Sequence, residues 1–424
     1  MDELAMRRCI EQKREGEALA AGQWEAIAAA FVEGAIDDAQ MAALCMACVL
    51  RGMSFEETFA LTKAMVESGD VLHFDSPDGI VVDKHSTGGV SDVVSLAAVP
   101  LAAACGARVA KLSGRALGHT GGTIDKLETI PGLVTALPAE RFIAIVQSVG
   151  CAIAAQTEAL VPADKRLYRL RDRTATIPAL GLIASSIVSK KIAGGAGAFV
   201  FDVKAGRAAF LPDAQRAAEL AQWLVDLAAR FGKRAVAFVT DMSQPLGRCI
   251  GTAIEVAEVR DLLQGRGDDR AVELVLAISA ALVEEAGVSD AEARTKRALA
   301  DGSGYAKFTA MIAAQGGDVA AMERMHCTKA STVAASQSGY VRGIDAVALG
   351  NAARRLWEND ALAGLRIDVR IGDRVERGSP LLTVFGRGAG LVHHLADAVE
   401  VGDEPAAAPP LVYARYERSI SAMM

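Results

Sequence analysis

The sequence predicts an α/β protein in which a helical domain packs beside a mostly parallel α/β sheet domain, with a cleft between them and a small C-terminal α+β domain. Three observations carry this. Residues 2–69 have helical periodicity broken by glycines and contain no obvious strand. From Ile80 the pattern changes to apolar run, glycine-rich loop and helix, repeated along the chain in the rhythm of βαβ units. After Gln315 the runs shorten and are separated by the turn pairs Gly372-Asp373 and Gly378-Ser379.

The first segment reads as four helices, residues 2–15, 23–33, 37–51 and 55–67, separated by Gly16, Gly34 and Gly52. Ser54-Phe-Glu-Glu57 has the spacing of a capping box, in which serine and glutamate satisfy each other's backbone N–H groups. Strands follow near 80–82, 108–112, 152–155, 198–203 and 235–240, alternating with helices. Residues 162–172 and 183–192 interrupt them as two helices without an intervening strand, so the chain leaves the sheet there and packs back on the N-terminal helices. The domains are therefore read as 1–70 with 163–193, 71–162 with 194–335, and 336–424. Residues 405–410, bounded by prolines, read as an extended connector.

At 424 residues the chain suits two or three domains of roughly 150 residues each. Charges interrupt every apolar run before the roughly 18 residues of a membrane span, and the acidic Met1-Asp-Glu-Leu start is unlike a secretory leader. A cytoplasmic protein without a membrane partner is expected. Seven irregularly spaced cysteines fit a reducing compartment, and Cys45-x-x-Cys48 lies inside a helix, where core packing is expected rather than metal or redox work. A net charge of −7 and a pI near 5.6 argue against a nucleic-acid surface.

Chemistry concentrates in Val81-Val-Asp-Lys-His-Ser-Thr-Gly-Gly-Val90, where an apolar strand breaks into a base, a histidine, hydroxyls and a glycine pair. Glycines let backbone N–H groups approach an oxyanion, Lys84 adds charge, Ser86 and Thr87 add donors, and a helix starting near Ser91 or Asp92 points its positive end the same way. A Walker loop would place lysine after the glycines, so a nucleoside-triphosphate site is disfavoured. A plain glycine turn with a capping serine is the alternative.

Lys111-Leu-Ser-Gly-Arg-Ala-Leu-Gly-His-Thr-Gly-Gly-Thr-Ile-Asp-Lys126 repeats the strand, loop, helix passage, with Thr123 either a ligand or an N-cap. Ser186 and Lys190 stand four residues apart on one helix face with Ile183 and Ile187 beside them. Lys191 faces elsewhere and reads as structural. Arginines 166, 169, 171 and 173 crowd the preceding helix, a pattern that usually marks a solvated face. His85 is the candidate for proton transfer, while His73, His119, His326, His393 and His394 are read as structural. No HExxH or clustered carboxylate pattern points to a catalytic metal.

Asp83-Lys-His-Ser-Thr-Gly-Gly89, the run from Ser113 to Glu128 and Ala163-Asp-Lys165 resemble the thymidine and pyrimidine-nucleoside phosphorylases, and the similarity in domain order covers nearly the whole chain. The resemblance implies reversible phosphorolysis of thymidine, deoxyuridine and uridine to the free base and an α-sugar 1-phosphate. It assigns Lys84, Ser86, Ser95, Ser113 and Thr123 to phosphate, and Arg171, Ser186 and Lys190 to the pyrimidine. Leu117, Ile183 and Phe210 line the base pocket, and His85 lies near the base O2 as a catalytic residue with Arg171 and Lys190. It implies a homodimer and closure of the two domains about the cleft, with phosphate as co-substrate and no cofactor. Some relatives build a potassium site after the first loop on Gly-Asp-x-Thr, and Ser91-Asp-Val-Val94 departs from that pattern. Ala116 and Arg207 depart as well, whereas Asp241-Met-Ser-Gln-Pro-Leu-Gly247 resembles the broad pyrimidine-nucleoside group. A thymidine-restricted enzyme, a Mg-dependent phosphoribosyltransferase of related fold and a non-catalytic nucleoside-binding protein are the alternatives.

Overall fold

The structure, a computed structural model, describes residues 1–75, 79–115, 121–157, 159–386 and 395–418. It begins with four helices, α1 (Glu3–Arg14), α2 (Ala21–Glu33), α3 (Asp38–Arg51) and α4 (Phe55–Glu67). Their ends follow from side-chain chemistry: Asp2 accepts from Ala5 N, while Asp37 with Gln40 and Ser54 with Glu57 form capping boxes. Their inner faces bury Met6, Trp24, Ile27, Phe31, Leu44, Leu61 and Met65. Cys45 and Cys48 are buried here too, and burial pushes their thiols up to about 11 and about 12, so both stay protonated packing residues. A buried ion pair, Lys13 Nζ to Glu57 Oε2 at 2.8 Å, ties α1 to α4.

The alternating region follows as β1 (Val81–Ser86), α5 (Val94–Ala104), β2 (Arg108–Ser113), α6 (Thr123–Leu127), α7 (Ala139–Val149) and β3 (Cys151–Ala155). After β3 come α8 (Pro162–Arg173) and α9 (Leu180–Ala193), with no strand between them. Helix α9 packs against α4, and α8 against α2 and α3, so this excursion joins the N-terminal helices. Gly181 makes the approach possible, because a Cβ there would lie 2.6 Å from Thr58 Oγ1. The chain then returns through β4 (Ala198–Ala205), α10 (Ala214–Arg230) and β5 (Arg234–Asp241).

The main sheet has the order β5-β4-β1-β2-β3, all parallel. Strand order reverses between β1 and β4, and at such a switch point the chain connections diverge and leave a crevice beyond the strand carboxyl ends. The sheet's two faces are covered by separate apolar clusters, one including Val82, Val109 and Val200, the other Phe199, Phe201 and Leu224.

Beyond β5 the chain continues through β6 (Cys249–Ile250), α11 (Thr252–Asp261), α12 (Asp269–Glu285), α13 (Ala291–Ala300), α14 (Ser303–Ala314) and α15 (Val319–Glu323). The last part comprises β7 (Lys329–Ala334), β8 (Gly339–Ile344), α16 (Ala346–Trp357), β9 (Gly364–Ile367), β10 (Arg374–Val375), β11 (Pro380–Phe385), β12 (Val399–Gly402) and β13 (Val412–Glu417). It forms a three-stranded sheet, β10-β8-β12, and a four-stranded sheet, β6-β9-β11-β7.

Three features differ from the sequence expectation. Strand β1 does not stop near Val82 but runs through Ser86, because the charges that suggested an end are paired inside the protein, Asp83 with Lys191 and Lys84 with Asp202. Helix α5 starts at Val94 rather than near Ser91, since Ser91 has φ 56° and Asp92 Oδ1 accepts the Val94 N–H. Strands of residues 336–424 also pair with strands outside that segment. Strand β6 belongs to their larger sheet, and β13 leaves them to pair antiparallel with β5 at the edge of the main sheet.

Candidate active site

The carboxyl end of β1 brings Lys84, His85 and Ser86 to the crevice beside β4. Lys84 is fully buried, its Nζ 3.0 Å from Asp202 Oδ2 and 3.2 Å from Ser95 Oγ. Lys204 Nζ shares the same carboxylate oxygen at 2.9 Å, and Thr240 Oγ1 donates to Asp202 Oδ1 at 2.6 Å. Two ammonium groups converge on this carboxylate, and the Asp92 carboxylate also acts on both, so buried charges of both signs line the floor.

Above that floor, Ser86 Oγ accepts from Gly88 N at 3.2 Å and donates to Asp92 Oδ2 at 2.6 Å. Lys126 Nζ donates to the Asp92 backbone oxygen at 2.9 Å and pairs with Glu255 at 2.6 Å. Ser95 lies in the first turn of α5, so the helix's free N–H groups face the same region. Ser113 closes β2, and Thr123 opens α6, both half-buried. Gly122 occupies the N-cap of α6, which removes the capping reading for Thr123. Leu117 lies outside the described residues, as do Ala116, His119, His393 and His394. Phe210 lies against the loop glycine: a Cβ on Gly88, whose φ is 94°, would sit 3.3 Å from the Phe210 ring.

A second group stands on α8 and α9. The i, i+4 spacing brings Lys190 Nζ to 2.6 Å from Ser186 Oγ, and Asp164 Oδ2 holds the ammonium at 2.8 Å. The Tyr168 ring lies under it, 5.3 Å from Nζ to the centroid. Ile183 is half-buried one turn before Ser186, and Ile187 is buried next to it. Arg171 does not join a solvated face. It is buried and donates to the carbonyls of Thr176 at 3.3 Å, Ile177 at 2.7 Å and Leu182 at 2.9 Å, which fixes its plane where α8 turns toward α9. Arg169 and Arg173 are exposed, and Arg166 stacks on Phe31 at 4.1 Å. Lys191 is structural, bridging Asp83 at 2.6 Å and the Leu112 carbonyl at 3.0 Å.

His85 follows Lys84 on β1. Burial and then the nearby Lys191, Lys111, Lys190 and Lys84 ammonium groups hold its imidazole well below the usual histidine range. Lys84 belongs to that floor and Lys190 to the second group, so the histidine is within electrostatic reach of both.

The acidic partners Asp92, Asp164 and Asp202 had no role in the sequence reading. Asp202-Val-Lys204 did carry a signal, a charge pair inside an otherwise apolar strand, and Asp164 stands within the Ala163-Asp-Lys165 motif.

A helical bundle followed by an α/β domain is the order found in a glycosyl transferase family, whose helical bundle domain matches residues 7–69 and whose a/b domain matches residues 78–306. Within it, the chain is 41% identical over 423 residues to the pyrimidine-nucleoside phosphorylase of Geobacillus stearothermophilus, covering 95% of this chain and 98% of that protein. It is 40% identical over 431 residues to the thymidine phosphorylase of Burkholderia cenocepacia, with 96% and 98% covered. Against the thymidine phosphorylase of Mycobacterium tuberculosis it is 42% identical over 418 residues, with 96% and 97% covered. The chain belongs to the thymidine and pyrimidine-nucleoside phosphorylase family. Its fold is also that of anthranilate phosphoribosyltransferase from Thermus thermophilus, with a TM-score of 0.58 and 22% identity over 72% of this chain and 99% of that one.

Proposed function

We infer that the protein catalyses reversible phosphorolysis of pyrimidine nucleosides, yielding free base and an α-(deoxy)ribose 1-phosphate. The observation that carries this reading is the pair of built groups, Lys84 with Ser95 and Asp202 where β1 ends and Lys190 with Ser186 on α9, with His85 next to Lys84 on β1. Phosphate bound by Lys84, Ser86, Ser95, Ser113 and Thr123 attacks C1′ from the face opposite the base. The C1′–N1 bond breaks and its electron pair moves into the pyrimidine, whose developing charge is met by Arg171 and Lys190, with Ser186 on its polar edge. Ile183 and Phe210 give the ring apolar walls, and the family resemblance assigns Leu117 to the same pocket. The lowered pKa of His85 favours its neutral form before phosphate binds; the phosphate dianion raises its basicity so that it takes up a proton from solvent, and it then gives that proton, or an N–H hydrogen bond, to the leaving base.

The potassium pattern of some relatives is not matched here. Val94 is a buried apolar side chain where that pattern has threonine, and the buried Ser91 hydroxyl has no partner among the described residues. The steps above therefore rest on phosphate and protein side chains. Uridine is included among the substrates because Asp241 to Gly247 follows the broad-specificity pattern.

A homodimer is proposed through α1 and α3, which leave Leu4, Met46 and Leu50 exposed. Free cysteines throughout the chain suit the cytoplasm, and among the described residues no helix is long and apolar enough to cross a membrane.

The test is base release from thymidine, deoxyuridine and uridine with and without phosphate. Release that requires phosphate and survives EDTA is the expected result. Activity abolished by EDTA would favour the phosphoribosyltransferase alternative, and calorimetric pyrimidine binding without turnover would favour a binding protein.

A further inference from the structure

The bond direction at Ser86 constrains which anions the loop can take. A serine hydroxyl has one proton, and here it goes to Asp92 Oδ2 across 2.6 Å. One lone pair of the same oxygen is occupied by the Gly88 N–H at 3.2 Å. What Ser86 has left to offer is a second lone pair, an acceptor. The direction is fixed because Asp92 stays ionised: burial alone would raise its pKa, but Lys204, Lys84 and Lys126 hold the carboxyl well below the usual carboxylate range. Its other oxygen is engaged by the Val94 N–H at 3.2 Å, and Lys126 anchors its backbone carbonyl, so it cannot turn away without uncapping α5.

The geometry points to Asp92 as a specificity-determining residue: by fixing Ser86 as an acceptor, it makes the loop select an oxyanion that carries its own proton, hydrogen phosphate rather than sulfate. The inference rests on the reading that this loop holds phosphate. Hydrogen phosphate donates its P–OH to the free Ser86 lone pair while its charged oxygens face Lys84 and the α5 amides. Sulfate has the same shape and charge but no proton near neutral pH, so one of its oxygens must face that lone pair with no hydrogen between them. The charge-assisted bond gained or lost corresponds to roughly tenfold to a hundredfold in affinity.

The test is calorimetric titration of the full-length protein with phosphate and with sulfate at pH 7.5, repeated on Asp92→Asn and Ser86→Ala. In the unmodified protein phosphate should bind at least about tenfold more tightly than sulfate. In Asp92→Asn the new amide donates to Ser86 and frees its proton to point at the anion, so sulfate should tighten and the ratio should fall several-fold. Ser86→Ala should weaken phosphate and narrow the ratio in the same way, and it carries the comparison if circular dichroism shows that Asp92→Asn does not fold. Sulfate binding the unmodified protein as tightly as phosphate, or a ratio unchanged in the variants, would overturn the inference while leaving the phosphate site standing. Binding of neither anion would overturn the loop's assignment and the inference with it.

Discussion

His85 shows how far a single side chain depends on its surroundings. Its folded pKa lies well below the unfolded value near 6.5, so as pH falls through 6.5 the unfolded chain takes up the proton first. The residue therefore withholds stability below that pH and costs nothing above it. A dianion at Lys84 opposes the lysine charges and raises the same pKa. Histidine NMR titration should show His85 deprotonating below 6.5 in the free protein and at higher pH with phosphate; an unchanged value would remove phosphate as the agent that arms it. His85→Ala should lower kcat by about 10²–10⁴, the range for loss of a general acid, in a steady-state assay with saturating phosphate. Lys84, His85, Ser86 and the Ser186/Lys190 spacing were legible because glycine loops and i, i+4 pairs are local signals. Asp92, Asp164 and Asp202 were not, because what matters about them is which cation lies opposite. Asp202 meets Lys84 from 118 residues away, and no local pattern announces that pairing.

Among the elements, α8 and α9 were recognisable as a departure from the strand rhythm, and their return to α2, α3 and α4 follows from the apolar faces they carry. Their polar content was harder to read. Arg171 sits in a run of arginines that looks solvated, yet the carbonyls exposed where α8 turns into α9 draw it inside. Between α1 and α4, Lys13 and Glu57 are both almost without solvent contact, and Glu57 also accepts from Leu19 N at 2.9 Å and Ser54 N at 2.9 Å. Glu57→Gln should cost about 3–5 kcal/mol in urea unfolding, since it leaves a buried ammonium unpaired. Replacing both partners, as in Lys13→Met with Glu57→Leu, should cost less than that single change, and equal losses would argue that the capping bonds dominate.

For the whole molecule, the parallel sheet and its helical neighbour could be anticipated because βαβ connections follow simple rules of direction and hand. Where the chain's last strand goes could not, because residues 412–417 look like any short strand and their partner, β5, lies far back in the sequence. Assembly is testable at the same scale. Light scattering should give twice the chain mass of 44.2 kDa, and Leu50→Arg, placed on a side chain 74% exposed, should shift the population toward monomer.

Strand β13 has one more consequence. It caps a run of backbone N–H and C=O groups on β5, from Val236 to Thr240, that would otherwise be open to another chain, and Tyr413 fastens it through a 2.8 Å bond to Asp241. During synthesis the sheet bearing the glycine loop after β1 is complete in its other described strands some 170 residues before this cover is made, and until then β5 is a template for pairing with a neighbour. A chain ending at residue 403 should keep its helical signal yet sediment as aggregate at concentrations where the full chain stays dispersed. A synthetic peptide of residues 410–418 added during refolding should suppress that aggregation by supplying the missing edge.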